Sequence, residues 1–142
     1  IDTLNLKIKM PAAGLDHFAD VKRLFIFDYI CLVITSFPAI KEIHELHKYQ
    51  VWWQLYQPVC YLLAAVLGIF AMAALDFSDF FIFFHQLLFR NQNWVFDPQT
   101  DPIIEVLPES FFAAMFSFFF ILFLGSLIVC LIISRRNLLQ QK

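Results

Sequence analysis

Charged residues, glycine and cysteine are all scarce in this chain of 142 residues. Charged side chains make up 15% of it and sum to a formal net charge of −2, so it offers no basic surface for nucleic acid. Its three glycines form no loop of the kind that cradles phosphate groups. Its three cysteines lie in separate apolar runs, where free cysteine is usually a small buried side chain. Nucleic-acid and nucleotide-phosphate binding are therefore excluded, and the cysteines are predicted to be structural.

Hydrophobic residues, by contrast, are abundant. They make up 61% of the chain, 18% of it is aromatic, and nineteen residues are phenylalanine. A soluble domain of this size would have to expose large apolar patches. Lipid is the solvent that tolerates such a surface. The composition therefore predicts a mainly α, polytopic membrane protein that forms a single domain.

Three apolar segments are predicted to cross the bilayer as helices. They occupy residues 17–40, 51–75 and 111–134, and a spanning helix needs about 20 predominantly apolar residues. A polar connection over residues 41–50 joins the first two, and a basic tail over 135–142 follows the third. Three spans place this connection and this tail together on one side of the membrane, which we predict to be the cytoplasmic side.

The N-terminal segment, residues 1–16, is predicted to contain a strand on the opposite face. Residues 3–10 alternate between apolar and polar side chains, which is the pattern of a half-buried strand. One strand is not stable alone, so we expect partners at residues 94–96 and 103–107, giving a small extracellular β segment. Because the chain starts at Ile1 without a methionine, we also expect a fourth, N-terminal apolar helix that is absent here.

The loop over residues 76–110 is predicted to be the functional part of the outer face. From residue 76 to residue 109 it contains one basic and six acidic side chains, which favours a location outside the cell. It opens with a phenylalanine-rich, amphiphilic stretch. We predict that this stretch is an interfacial helix capped by Asp76 or Asp79.

Two histidines lie on this outer side and can approach one pocket. If residues 76–90 are helical, His85 emerges among apolar side chains, where it can act as a proton acceptor. His17 begins the first spanning helix behind a predicted cap at Asp16, and Asp20 could orient its ring. No nucleophile motif accompanies them. The pair therefore indicates either proton transfer on a substrate that carries its own nucleophile, or no catalytic role at all. The alternatives are a structural, hydrogen-bonded His85 and a His17 that only belongs to the helix cap.

Two stretches resemble a known family: LDHFADVKRLF over residues 15–25, and FHQLLFRNQNWVFDPQTDPIIEVLPESFF over residues 84–112. They resemble the lipoprotein intramolecular transacylases (Lit) of Gram-positive bacteria and their wider family of small integral membrane proteins. The resemblance covers most of the chain. It implies a multi-pass protein of the bacterial plasma membrane that moves an acyl chain from the diacylglyceryl group of a lipoprotein to the α-amine of its N-terminal cysteine. It implies lipoprotein and membrane lipid as partners, and no cofactor.

This resemblance assigns roles to the polar residues of the outer face. His85 and His17 are predicted to be catalytic, one taking a proton from the substrate amine and the other protonating the departing glycerol oxygen, in either order. Arg90, Asn91 and Asn93 are predicted to bind the substrate by stabilising the oxyanion or holding a carbonyl, an interaction worth about 3 kcal/mol per well-aimed donor.

Four more residues are predicted to complete or support the site. Trp94 belongs to the substrate-binding stretch and anchors it at the membrane boundary. Asp20 is expected to orient His17, and Asp97 and Asp101, each followed by proline, are expected to tie the loop together.

Two other functions remain open at this point. A non-catalytic integral membrane subunit of a larger complex would use its phenylalanine-rich faces to pack against other membrane subunits. A metal-dependent hydrolase would need ligands around His17 and His85, but no cluster of carboxylates or cysteines accompanies them, so no metal is predicted.

Overall fold

The structure is a computed structural model that describes residues 11–141. Within that range the chain is helical, with short connections and no strand. The helices are α1 (Ala12–Lys48), a 3-10 helix (Trp52–Leu55), α2 (Tyr56–Leu75), α3 (Phe77–Leu88), α4 (Ile103–Val106) and α5 (Glu109–Gln140).

Three helical segments are long and apolar enough to cross a membrane. They are α1, α2 together with the 3-10 helix before it, and α5. Little of their apolar surface is covered by protein, and the most apolar stretch of α1 has no buried residue. Helices whose backbone groups are bonded internally are the form that such a chain can take in lipid. The chain is therefore a multi-pass membrane protein, as its composition predicts.

The first helix, α1, begins earlier than predicted. Its first residue is Ala12, and Pro11 precedes it without any side chain capping the helix. The prediction that Asp16 caps the helix is therefore wrong, because Asp16 lies in the second turn. Proline suits the start of a helix, where an N–H would have no intrahelical partner, and alanine favours the helix that follows. The early start places His17 inside the helix.

The same helix also ends later than predicted, at Lys48. Residues 41–48, predicted as part of a loop, are its last two turns, because glutamate, leucine and lysine there all favour helix. Its 37 residues reach about 55 Å, against roughly 30 Å for the hydrocarbon core. Its apolar part, residues 24–40, is the part that we expect to cross the bilayer. The turns that carry His17 and Asp20 precede this membrane-spanning part.

The second and third spanning helices, α2 and α5, pack against each other through a short row of buried apolar side chains. At one end of the pair, the backbone N–H of Trp53 donates to Asn137 Oδ1 at 3.1 Å. The beginning of one helix therefore lies beside the end of the other, and the two are antiparallel. Helix α5 continues through residues predicted to form the tail. The buried row consists of Val59, Val66, Phe120 and Leu127.

The amphiphilic helix predicted after the second span is α3. Of its two candidate caps, Asp76 is the one used, because its Oδ1 accepts the backbone N–H of Asp79 at 3.0 Å. Ser78 Oγ donates to Glu109 Oε1 at 2.6 Å, which connects the start of α3 to the start of α5. These contacts fix α3 at the end of the α2–α5 pair. Its interfacial location stays a prediction.

The described residues do not form the predicted β segment. Its first strand, over residues 3–10, lies outside the described range. Of the two predicted partners, residues 94–96 are not in a strand, and residues 103–106 form α4, so the prediction of these partners was wrong. Pro102 sits just before α4 in a helical conformation, which suits a helix start. The apolar pattern of residues 103–107 is too short to separate a strand from one helical turn.

Candidate active site

His17 is buried in an aromatic pocket near the start of α1. It is 6% exposed, and its ring centroid lies 4.8 Å from that of Phe89 and 5.7 Å from that of Phe96. Its Nδ1 is buried and has no hydrogen-bond partner among residues 11–141. A buried polar atom without a partner costs about 1–3 kcal/mol, unless another molecule supplies one. The pocket therefore holds an imidazole with unused hydrogen-bonding capacity.

His85 lies in the last turn of α3, with its ring 5.9 Å from that of His17. Its Nδ1 is 2.7 Å from the carbonyl oxygen of Phe81. A carbonyl only accepts hydrogen bonds, so Nδ1 carries the proton, and in the neutral ring Nε2 is the acceptor. The indole of Trp94 lies 5.1 Å from this ring. The helix therefore fixes both the tautomer and the direction of His85.

The electrostatic setting of His17 favours its neutral form. Burial lowers its pKa from the ordinary 6.5, and His85 lowers it further, whereas Asp20 acts in the opposite direction. Desolvation and a nearby like charge both disfavour an imidazolium. No group of three or more His, Cys, Asp or Glu side chains that could hold a metal ion occurs between residues 11 and 141. The arrangement is therefore one of two adjacent imidazoles suited to moving a proton.

Asp20 makes different contacts from the predicted ones. One of its oxygens, Oδ1, accepts from Arg23 Nη1 at 2.7 Å, and the other, Oδ2, accepts from Asn91 Nδ2 at 3.0 Å. In the described part of the chain, no hydrogen bond joins Asp20 to His17. The carboxylate therefore connects α1 to the loop after α3, and it acts on His17 only through its charge.

The loop after α3 is organised around Asn91. Its Oδ1 accepts the backbone N–H of Asn93 at 3.0 Å, and its backbone carbonyl accepts from Trp94 Nε1 at 2.9 Å. Trp94 is thus held against His85 by a hydrogen bond from its own indole. Asn91 shapes the loop beside the histidines, and Asn93 takes part through its backbone N–H. That the two side chains bind substrate stays a prediction.

The next turn of the loop is held by Asp97 and Asp101. The backbone N–H of Asp97 donates to Asp101 Oδ2 at 2.9 Å, and the N–H of Gln99 donates to Asp97 Oδ1 at 2.8 Å. Asp101 is 7% exposed. A carboxylate that accepts backbone N–H groups in this way closes a turn locally. Both side chains therefore shape the loop, and their hydrogen bonds lie within residues 97–101.

Arg90 lies on an open groove next to the histidine pair, on the other side of Phe89. The groove has a volume of about 390 Å³ and combines two guanidinium groups and one carboxylate with apolar walls. Arg90 itself is exposed and makes no hydrogen bond or ion pair within residues 11–141. The groove is lined by Asp20, Arg23, Leu24, Phe27, Leu88, Phe89, Arg90 and Asn91.

The helical pattern of the sequence places Phe89 one turn from His85, but it does not predict that Phe89 and Phe96 also cover His17. Phe89 is 8% exposed and lies 5.8 Å from His85, ring to ring, as well as beside His17. Its position four residues after His85 was the available signal, because residues four apart share one face of a helix. Phe96 gave no signal, because its contact with His17 depends on the path of the loop.

Comparisons with known proteins show the family of the chain. The model of the family described as lipoprotein intramolecular transacylase Lit matches residues 1–112. The chain belongs to the Lit family. A solved structure of the membrane-integral lipoprotein intramolecular transacylase Lit from Bacillus cereus is 29% identical to this chain and superposes with a TM-score of 0.84. No curated protein sequence matches the chain.

The likeness to the Bacillus cereus Lit covers the two chains unequally. It includes 96% of this chain but 63% of the other one. The family model matches residues 1–112, a range that contains both histidines. The matched region therefore includes the whole candidate active site.

Proposed function

We propose that this Lit-family protein is a transacylase at the outer face of a bacterial plasma membrane. It moves one acyl chain from the glyceryl group of a diacylated lipoprotein to the amine of the N-terminal cysteine of the same molecule. The observation that carries this proposal is the buried His17 beside His85, with ring centroids 5.9 Å apart, in a chain that belongs to this family. The substrate supplies both the amine and the ester, so the protein must mainly move a proton.

The reaction is balanced without a co-reactant. The amine nitrogen attacks the ester carbonyl and forms the new C–N bond, and the C–O bond to glycerol then breaks. The nitrogen loses one proton and the departing glyceryl oxygen gains one. A free α-amine has a pKa of about 7.7–8.0, so an unprotonated fraction is present near neutral pH.

His85 is the group that we assign to accept the amine proton. The carbonyl of Phe81 holds its Nδ1–H, which leaves Nε2 as the acceptor and stabilises the imidazolium that forms. His85 then transfers this proton to His17, whose Nδ1 has no partner among residues 11–141, and a ring N–H of His17 protonates the glyceryl oxygen as the C–O bond breaks. Because the pKa of His17 is lowered by burial, it does not retain the proton. General acid–base assistance of this kind typically gives about 10²- to 10⁴-fold acceleration.

Arg90 is the group that we assign to the ester carbonyl. It lies on the groove next to the histidine pair, and a guanidinium aimed at a developing oxyanion stabilises it. The apolar side of the same groove is formed by residues such as Leu88 and Leu24, and Leu24 is the first residue of the apolar part of α1. A lipid-borne ester could thus be reached from the membrane without leaving it.

The test is tandem mass spectrometry of the N-terminal lipopeptide of a lipoprotein, from cells that express the protein or its His85→Ala variant. Intact mass does not change in an intramolecular transfer, so fragments must locate each acyl chain. We expect one chain on the cysteine nitrogen with the wild type and none with the variant. Acyl chains left on glycerol in both samples would overturn the proposed function and favour a non-catalytic subunit.

A further inference from the structure

The Asp20–Asn91 hydrogen bond connects the two elements that carry the histidines. Asp20 lies three residues after His17 on α1, and its Oδ2 accepts from Asn91 Nδ2 at 3.0 Å. Its other oxygen is held by Arg23. Both oxygens of this carboxylate are therefore engaged, and its direction relative to the helix is fixed.

On the other side of the bond, Asn91 reaches His85 through a single intermediate. Its Oδ1 accepts the N–H of Asn93, which leaves Nδ2 as the only donor that can face Asp20. Its backbone carbonyl accepts from the indole of Trp94, and this indole lies against His85. One residue thus contacts both the helix of His17 and the aromatic neighbour of His85.

Among residues 11–141, few other contacts hold α1 at this end of the molecule. The apolar stretch of α1 has no buried residue, so its packing does not fix the position of the helix against α2 and α5. Near His17, the remaining contacts are aromatic rings such as those of Phe89 and Phe96. Ring contacts permit sliding, whereas a charge-assisted hydrogen bond prefers one distance and one angle.

We propose that Asp20 and Asn91 are positioning residues that hold His17 at its working distance from His85, which rests on the proposed function above. Neither residue has to touch the substrate for this role. The amide of Asn91 is already engaged by the protein on both its oxygen and its nitrogen. This distinguishes it from Arg90, which points no donor at another residue in the described part of the chain.

The experiment exchanges the donor and the acceptor of the bond. In the Asn91→Asp variant, two carboxylates face each other at this distance and repel, while the N–H of Asn93 keeps its acceptor. In the double variant Asp20→Asn with Asn91→Asp, the new amide at position 20 donates to the new carboxylate at position 91. The matched control is Gln92→Glu, the same amide-to-acid change at the neighbouring exposed residue of the loop.

The turnover of a diacylated lipopeptide is measured for each purified full-length variant. We expect Asn91→Asp to lower kcat by about tenfold or more, the loss typical of a charge-assisted hydrogen bond, with little change in KM. We expect the double variant to recover to within about threefold of the wild type, because the two sites are coupled. Gln92→Glu should behave like the wild type.

A second measurement does not depend on activity. The ring resonances of His17 and His85 in ¹⁵N-histidine NMR spectra should shift in Asn91→Asp and return in the double variant, with unchanged thermal unfolding. An active wild type whose double variant is as slow as Asn91→Asp would overturn the positioning role. So would an Asn91→Asp variant with unchanged kcat and ring resonances. A wild type without turnover would instead overturn the proposed function, and with it the catalytic purpose of the bond.

Discussion

The α2–α5 pair and the histidine end of the molecule are held together by different forces. The helix pair has a row of buried apolar side chains that includes Val66 and Phe120, and a polar contact between Trp53 and Asn137 lies at the end of the row. The histidine end has one buried imidazole, aromatic rings and a series of hydrogen bonds from Asp20 to Trp94. Packing of the first kind contributes stability, and an arrangement of the second kind fixes the direction of functional groups. Substitutions in the two regions should therefore separate stability from activity.

The largest difference between loss of activity and loss of stability is expected at the histidines. His17→Ala should lower the transacylation rate by about 100-fold or more, because proton transfer by a positioned histidine contributes about 10²- to 10⁴-fold. The melting temperature should fall only modestly, because the loss of buried ring contacts is partly offset by the removal of a nitrogen that has no partner among residues 11–141. Rates and thermal unfolding are measured on the same preparation. The matched control is His44→Ala, an exposed histidine of the same helix, and equal rates for the two variants would remove His17 from the mechanism.

The reverse effect is expected in the helix pair. Phe120→Ala should lower the free energy of unfolding by about 3 kcal/mol, because it leaves a cavity among packed side chains. The rate per folded molecule should stay near that of the wild type. Thermal or denaturant unfolding in detergent checks the first statement and a turnover assay the second. Phe119→Ala, at a neighbouring position that is 59% exposed, is the control, and an equal loss of stability there would contradict the buried row.

A smaller effect is expected at α3, which connects the two regions. Asp76→Ala removes the side-chain cap of this helix and should cost about 1 kcal/mol of stability. Because His85 lies at the far end of α3, the rate should fall by only a few fold. Unfolding and turnover are compared with those of Asp16→Ala, whose carboxylate caps no helix. A loss of activity as large as that of the histidine variants would contradict the inference that the hydrogen bond to Phe81 is enough to hold His85 in place.

The smallest effect is a shift in the titration of His17. Its pKa is expected below 6.5, and it should fall further in Asp20→Ala, since Asp20 raises it, and rise in His85→Gln, since His85 lowers it. In the unfolded chain His17 titrates at its ordinary 6.5, so below that pH the unfolded state binds more protons. The contribution of His17 to stability is therefore lost as the pH falls from 6.5 through the folded pKa. NMR titration of ¹³C-labelled histidine checks the shifts, and a pKa above 6.5 would contradict the buried position.

The sequence was informative about the spans and the histidine pair for a physical reason. A helix that crosses lipid needs a long apolar run, and such a run is visible in the order of the residues. The two histidines were recognised because each stands in a polar or mixed segment next to such a run on the same side of the membrane.

Other features depended on contacts between distant parts of the chain. Nothing in the local sequence of Asn91 indicates that its amide meets Asp20, 71 positions earlier, or that the ring of Phe96 covers His17. The predicted strand partner at residues 103–107 failed because an apolar pattern of five residues fits one turn of helix equally well. The ends of α1 were predicted wrongly because they were placed where the hydropathy changes. Residues that favour a helix continue beyond those points.

The most direct test of this account uses the purified full-length protein and a synthetic diacylated lipopeptide. One substrate has a free N-terminal amine and the other has the same amine acetylated. We expect the fragment spectra to show one acyl chain moved to the nitrogen of the free-amine substrate, and no change in the blocked one. Acyl chains that stay on glycerol in the free-amine substrate, with a folded protein, would contradict the claim that the His17–His85 pair catalyses this transfer.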